Sequence, residues 1–467
     1  MSIVKQWELR ARFARSLSDL YGKEVPAYTT LVDVSAEVNR DYQEAHPETA
    51  ERFGSISRVT AERHGAIRVG STQEMAQVAR VFAALGMHPV GFYDLRDAKP
   101  AIPVVSTAFR PLDREQLALN PFRVFTSMLV PKDRRFFTEE LERKLSDFIA
   151  ARTLFPAELL DLADQAIADQ TLSSPDADRF IELATASFAL SPEPVDRGWY
   201  SALEAISSVA SDIGGVSSTH VNHLTPRVLD IDDLYGRMEA RGIQMIDSIQ
   251  GPPRWDGPDM LLRQTSFRAL AEPRTFRETD GSIGTGDLRV RFGEVEARGI
   301  ALTLAGRNHY DSMMKTVDER QAGRNRSEVA GEVWIEQCPP TEAELVRRDY
   351  GFFNFSPASV LPDGEPPRDL MSLVDGGWVT AEPIVYEDFL PRSAAGIFAS
   401  NLTSEGSVNS SQQGGAPRDL SWMSQQIGAQ VRDPYQLYAA EREASFQATA
   451  TALGLAPGAV STPWDAA

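Results

Sequence analysis

Apolar residues recur at helical spacing over 7–21 and again before Tyr42, so residues 1–55 read as an N-terminal helical segment. From Ser57 to Gly70 the β-branched residues increase, which predicts a strand. Ser71-Thr-Gln-Glu74 then reads as a capping box opening a helix with the apolar stripe Met75, Val78, Val81 and Phe82, stopped at Gly86. Strands are predicted over 90–95, 102–109 and 122–129. Residues 134–210 change character: alanine, leucine and acidic residues dominate, punctuated by Pro156, Pro175 and Pro192. So many leucines cannot stay solvated, so a helical insertion is expected there rather than a linker. Strand composition returns over 219–229, followed by a helix over 232–241 ending at Gly242. More strands are expected near 246–249, 261–267 and 288–304. Segment 403–417, rich in Ser, Gly, Asn and Gln, reads as a mobile loop, and the tail beyond Leu455 as frayed.

Two stretches repeat one pattern. His64-Gly-Ala-Ile-Arg68 precedes a helix, Leu85-Gly86-Met87 and a strand; His223-Leu-Thr-Pro-Arg227 precedes a helix, Arg241-Gly242-Ile243 and a strand. A single βα module cannot bury its sheet face, so two copies should share one core. Positions i and i+4 of a strand lie on one face, which pairs His64 with Arg68 and His223 with Arg227. Two copies related by a pseudo-twofold axis could bring both histidines to a common centre. The same reasoning prefers His223 over His220, which an extended chain would turn to the opposite face. A His and an Arg in one strand are often mere surface or core-edge residues; the duplication is what singles these out.

Composition narrows the chemistry. The 467-residue chain has a net charge of -19, which argues against a nucleic-acid or anionic-membrane partner, since phosphate binding needs a cationic face. An anionic substrate is still possible if a local arginine supplies the charge. One cysteine, Cys338, precludes an intrachain disulfide and a thiolate metal cage. The N-terminus lacks a signal-peptide core and no stretch approaches the roughly 18–20 apolar residues of a membrane span; a soluble, cytoplasmic protein is expected. Gly284-x-Gly286 lacks the spacing and helix of a nucleotide-binding loop and reads as a turn.

With six histidines in the chain, a metal site must draw on a short set. Leu288-Arg-Val-Arg-Phe-Gly-Glu-Val-Glu-Ala-Arg298 offers two glutamates, Glu294 and Glu296, on one strand face. A solvated face explains them as well as a ligand role does. With His64 and His223, however, one of them would complete a two-histidine, one-carboxylate triad, leaving three adjacent positions for a chelating substrate and dioxygen. His46, His88 and His309 carry no such pattern.

Several segments together resemble the 2-oxoadipate dioxygenase/decarboxylase family, whose activity belongs to bacterial D-lysine breakdown. They are Glu62-Arg-His-Gly-Ala-Ile-Arg68, Gly86-Met-His-Pro-Val-Gly-Phe-Tyr-Asp-Leu95, Ser106-Thr-Ala-Phe-Arg-Pro111, Val221-Asn-His-Leu-Thr-Pro-Arg227, Leu262-Arg-Gln-Thr-Ser-Phe267, Phe292-Gly-Glu-Val-Glu-Ala-Arg-Gly299, and Tyr386-Glu-Asp-Phe-Leu-Pro391 with Ser393-Ala-Ala-Gly-Ile-Phe398. The resemblance implies an α+β fold in which paired βαβββ modules of vicinal-oxygen-chelate type form a half-barrel around a metal. On that basis 56–133 is the first metal-binding module, 134–210 the helical insertion, 211–330 the second module, and 331–467 a C-terminal extension completing the pocket. It further implies His64, His223 and Glu294 as ligands of Fe(II), and Arg68 as the partner of a substrate carboxylate. The Glu294 strand is also similar to the ligand-bearing strand of 4-hydroxyphenylpyruvate dioxygenase; Glu296 is the fallback. Ser393 falls in a stretch that contributes to the family's substrate pocket, here preceded by Arg392 where a small apolar residue is usual. The implied reaction takes a small 2-oxo dicarboxylic acid, 2-oxoadipate, and O2 to 2-hydroxyglutarate and CO2. The competing expectations are a metal-dependent isomerase or lyase on the same fold, and a ligand-binding protein without catalysis. O2 uptake separates the first of these, and absence of bound metal the second.

Overall fold

The computed structural model describes the chain except residues 1, 48–51, 53, 99–100, 269–271, 289–290, 391–416, 457 and 467. Arg392, Ser393 and nearly all of 403–417 lie outside the described residues.

The first βαβββ unit is Arg63–Val69, the helix Thr72–Ala84, and the strands His88–Asp94, Val104–Arg110 and Arg123–Leu129. Arg63–Val69 pairs in parallel with Arg123–Leu129, which pairs antiparallel with Val104–Arg110 and through it reaches His88–Asp94. The second unit repeats this order: His223–Pro226, the helix Ile231–Ala240, a stretch bridged at Met245 and Gln250, then Leu262–Ser266 and Glu294–Arg298. A hairpin, Glu272–Arg277 with Ile283–Leu288, interrupts it. The predicted 288–304 strand is therefore two pieces: Leu288 closes the hairpin, and the edge bearing the glutamates begins at Glu294. Gly284 and Gly286 lie in that hairpin strand, not in a turn. At Gly286 a Cβ would fall 2.9 Å from the Phe276 ring, so the crossing aromatic rather than chain reversal explains the small residue.

The two units join through their first strands. His64 faces Thr225 and Ala66 faces His223 across an antiparallel ladder, so a local twofold relates the histidines. The parallel bridge Arg227↔Glu296 adds the Glu294 strand on the far side. The outcome is an α+β fold of paired βαβββ modules.

Both faces of the first sheet are covered. One side packs Ile67, Val69 and Val124 against Phe13, Phe82 and Phe188. Its other side, carrying Ala66, Ala108 and Phe125, is roofed by Leu145, Ile149, Leu203, Val209 and Ile213. These come from the helices Glu139–Ala151, Arg197–Glu204 and Ser208–Gly214. A separate core around Trp334, Phe355 and Leu373 holds the C-terminal helices and the Phe353–Pro357/Val379–Pro383 hairpin. The tail is not frayed: Val460 is buried, and Trp464 stacks on Phe355 and under the Arg442 guanidinium. Among the described residues no helix is long and apolar enough to cross a membrane.

Local capping follows the sequence with one shift. Ser71 Oγ accepts the Glu74 N–H, but the Glu74 carboxylate reaches back to the Gly70 N–H at 2.6 Å instead of to Ser71. Arg152 of the insertion holds it there at 2.7 and 2.9 Å.

Candidate metal centre and active site

Two strand faces and the ladder between them put His64, His223 and Glu294 together. One donor atom from each lies within 4.8 Å of the others, and all three residues are buried. Glu294 Oε2 is 3.7 Å from His64 Nε2, and its Oε1 is 3.6 Å from His223 Nδ1. These spacings are too long for hydrogen bonds, and His64 Nε2, both His223 nitrogens and Glu294 Oε1 have no hydrogen-bond partner. Buried polar atoms are rarely left so. Two imidazole nitrogens and a carboxylate oxygen are the donor set of an iron(II)-type facial triad, so the residues fit a divalent cation.

The surroundings fix the three side chains. The His64 ring meets Phe389 edge-on at 5.0 Å, and His223 packs on Phe292 at 5.2 Å. A Cβ at Gly293 would lie 2.2 Å from the Phe267 ring, so the residue before Glu294 must be glycine. Tyr21 Oη from the first helix sits 2.9 and 2.8 Å from the carbonyls of Asn222 and Phe292, tying down both strands beside the site. Pseudosymmetry ends at the fourth position. By register, the counterpart of Glu294 in the first unit is Phe125, which offers no ligand. Among the described residues no further His, Cys, Asp or Glu joins the three.

The second glutamate is not an equivalent alternative. Glu296 stands behind His64, its Oε1 3.1 Å from Nδ1, close but oblique to the ring N–H. Arg298 grips it at 2.8 and 3.0 Å. Burial alone would raise its pKa, but the charges of Arg298, His64 and Arg123 outweigh this and hold it at about 2. Burial instead dominates at Glu294 and lifts it to about 7. At His223, burial, with His64 and Arg68 nearby, depresses the pKa well below the usual imidazole value and keeps the ring neutral. Neutral imidazole is the form that binds a metal.

The profile of the 2-oxoadipate dioxygenase/decarboxylase family matches residues 13–401. The chain belongs to that family. It is 53% identical over 435 residues to a 2-oxoadipate dioxygenase/decarboxylase of Mycobacterium bovis, covering 92% of this chain and 95% of that one. It is 38% identical over 451 residues to the Escherichia coli K12 protein of the same name, covering 94% and 97%. The crystal structure of hydroxyglutarate synthase from Pseudomonas putida in complex with 2-oxoadipate is similar throughout, with a TM-score of 0.82, 34% identity and coverage of 97% and 100%.

In this member of the 2-oxoadipate dioxygenase/decarboxylase family the two repeat arginines have diverged. Arg227 is bound to Glu62 at 2.9 Å, inside a buried network that also holds Arg123, Arg298, Arg58 and Glu387. Arg68 stays on the site side, where its Nη1 meets Asp212 Oδ2 at 2.5 Å. Asp212 comes from the insertion helix Ser208–Gly214. It also receives Asn222 Nδ2 at 2.7 Å and lies 3.1 Å from His220 Nε2. His220 was expected to face away. The ladder begins only at His223, so residues 219–222 are not alternating strand, and His220 turns back to the Arg68 cluster. Nothing in the sequence marks Asp212: it falls just past the helical insertion 134–210, before the His223 strand, and carries no motif that ties it to Arg68. His46 packs on Tyr42, and His309 bonds the Gln337 carbonyl at 3.0 Å and stacks on Tyr350; neither joins the cluster.

Proposed function

We propose that this chain oxidises 2-oxoadipate with O2 to 2-hydroxyglutarate and CO2, using Fe(II) held by His64, His223 and Glu294. The observation that carries the reading is the convergence of three buried, otherwise unpartnered donors in a chain of this family. The substrate comes from the name of the relatives and from the 2-oxoadipate-bound Pseudomonas putida enzyme. Iron comes from the donor set, which leaves room for a chelating acid and a gas molecule.

When bound, the metal supplies adjacent sites for the 2-oxo acid and O2 and the redox steps between them. The rest falls to side chains. Glu294 and the two imidazoles together set the open face, and Phe125, Phe389 and Phe292 keep it dry. Arg68 takes the distal carboxylate by charge-assisted hydrogen bonds, which selects chain length and aims one C–H bond at the reacting centre. In the overall reaction the C1–C2 bond breaks and C1 leaves as CO2. One oxygen atom of O2 enters the new carboxylate and the other becomes the hydroxyl at the carbon beside a carboxylate. Cleavage of the C–C bond and of one C–H bond supplies all four electrons, so no external reductant is required. Ser393 is assigned to the same pocket, by resemblance alone.

The test is aerobic turnover with Fe(II) on a panel of 2-oxo dicarboxylic acids, following O2 uptake and product. Stoichiometric 2-hydroxyglutarate from 2-oxoadipate is expected, and none with His64→Ala, His223→Ala or Glu294→Ala. Product formation without O2 uptake would make the protein an isomerase or lyase instead.

A further inference from the structure

Across the ladder from the proposed carboxylate ligand lies a group the reading above does not use. Gln264, in the strand Leu262–Ser266, is 0% exposed, and neither its Oε1 nor its Nε2 has a hydrogen-bond partner. Ser266 Oγ, two residues on, is buried and unpartnered too. The register places Ser266 directly opposite Glu294 and Gln264 directly opposite Glu296. Directly opposed residues of an antiparallel pair share a face, and a diagonal neighbour about 7–8 Å away is within reach of a long side chain. Gln264 and Ser266 therefore project to the side on which Glu294 meets the two histidines.

Desolvating an amide with no partner is destabilising, and a leucine of similar size would avoid the penalty. Such an orphan is explained by a ligand that completes it. The described cations nearest this strand are already committed. Arg298 is held by Glu296, Arg227 by Glu62, and Arg123 by Glu62 and Glu387. Among the described residues, what remains for an incoming molecule at this end is a neutral amide and a hydroxyl.

We propose that Gln264, assisted by Ser266, hydrogen-bonds the carboxylate end of the 2-oxo acid, the end released as CO2; this rests on the function proposed above. The neutrality of the pair suits that role. A carboxylate that leaves as uncharged CO2 loses its charge on the way to the transition state. A guanidinium there would favour the bound acid over the transition state and slow its loss, whereas an amide orients it at little such cost. The permanent cation, Arg68, is placed where the charge survives the reaction. The two ends of the substrate are thus held by groups of different charge, matched to what becomes of each end.

The experiment compares Gln264→Leu, Gln264→Asn and Arg68→Ala in the iron-loaded full chain. 2-Oxoadipate is the substrate, and 2-oxohexanoate, of the same length without the distal carboxylate, is tested as substrate or competitive inhibitor. Gln264→Leu is expected to lose at least tenfold in kcat/KM for 2-oxoadipate and to weaken 2-oxohexanoate by a similar factor. Arg68→Ala should lose only the dicarboxylic acid. Because the amide is orphaned in the free protein, Gln264→Leu should keep its metal and melt no lower than wild type. Wild-type kinetics in Gln264→Leu overturn the proposal, as does a loss confined to 2-oxoadipate. A fall in Tm of several degrees with loss of metal, in both Gln264 variants, overturns it in favour of a structural role. An inactive wild type would instead sink the proposed function.

Discussion

His64 Nδ1 lies 3.1 Å from Glu296 Oε1, on the side of the ring away from Glu294. The two glutamates thus address the two nitrogens of one imidazole. A carboxylate behind a ligating histidine fixes its tautomer and makes the other nitrogen a better donor. Glu296→Gln is accordingly expected to retain the metal with roughly 10–100-fold weaker affinity, whereas Glu294→Gln should lose it. Metal content after dialysis against a graded chelator series distinguishes them. Equal retention in both variants would contradict the division of labour.

Asp212 is the counterpart for substrate binding. It gathers Arg68, Asn222 and His220 around one carboxylate, and the pull of His220 and Arg68 outweighs its burial, so its pKa falls below the usual range. Arg68 is long and flexible, and without this anchor it would lose rotamer order that a bidentate contact needs. Asp212→Asn is expected to raise KM for 2-oxoadipate about tenfold or more, on the scale of one lost charged hydrogen bond, with little change for 2-oxohexanoate. Steady-state kinetics on both acids provide the check. An equal loss on both would show that Asp212 acts on the fold or the metal rather than through Arg68.

The network behind the site should dominate acid stability. Glu62 is completely buried, with Arg123 Nη1 at 2.6 Å and Arg227 Nη1 at 2.9 Å. Burial would raise its pKa, but Arg123, Arg227, Arg58 and Arg298 pull it well below 4.5; Glu387 is lowered in the same way by Arg58 and Arg123. A folded pKa below the unfolded one means stability that is complete above about pH 4.5 and is lost as pH falls further. Glu62→Gln strands buried guanidinium charge, and breaking such a pair costs about 3–5 kcal/mol. Thermal melts from pH 7 to pH 3 should show a lower Tm for the variant at neutral pH and a shallower acid slope than wild type. Parallel curves would mean that Glu62 does not carry the acid dependence.

The repeat was legible because its signals are local: a histidine and an arginine four apart, a helix, and a glycine that ends it. Gly86 and Gly242 do adopt the left-handed backbone that stops a helix, at φ of 67° and 77°. Placing Glu294 beside the histidines took the resemblance as well, since the pattern alone left Glu296 standing. What separates the two glutamates is three-dimensional: Arg298 claims one and the histidines face the other. The roles of Asp212, Glu62 and Gln264 were invisible for the same reason. Asp212 meets Arg68 and Glu62 meets Arg123 and Arg227 across more than sixty residues of chain, and the Gln264 amide is singled out only by its burial without a partner; charge or amide character in a helix or strand says nothing about who completes it. For His220 the strand rule does not apply, because the alternation starts only at His223.

The unpartnered donors also predict how the folded state responds to metal. His64 Nε2, His223 and Glu294 Oε1 are enclosed without hydrogen bonds, so in the metal-free protein they pay for desolvation and receive nothing in return. A cation that binds the folded chain alone adds stability as RT ln(1 + [L]/Kd), roughly 4 kcal/mol at a thousandfold excess over Kd. Anaerobic Fe(II) should therefore raise Tm in proportion to the logarithm of its concentration, and a redox-inert divalent ion such as Zn(II) should act in the same direction. The rise should vanish in His223→Ala and Glu294→Ala. It should persist in Arg68→Ala, whose side chain is assigned to the substrate and not to the ion. A metal-dependent rise of wild-type size in His223→Ala would remove that residue from the centre, and loss of the rise in Arg68→Ala would mean that the two halves of the site are not separable as argued.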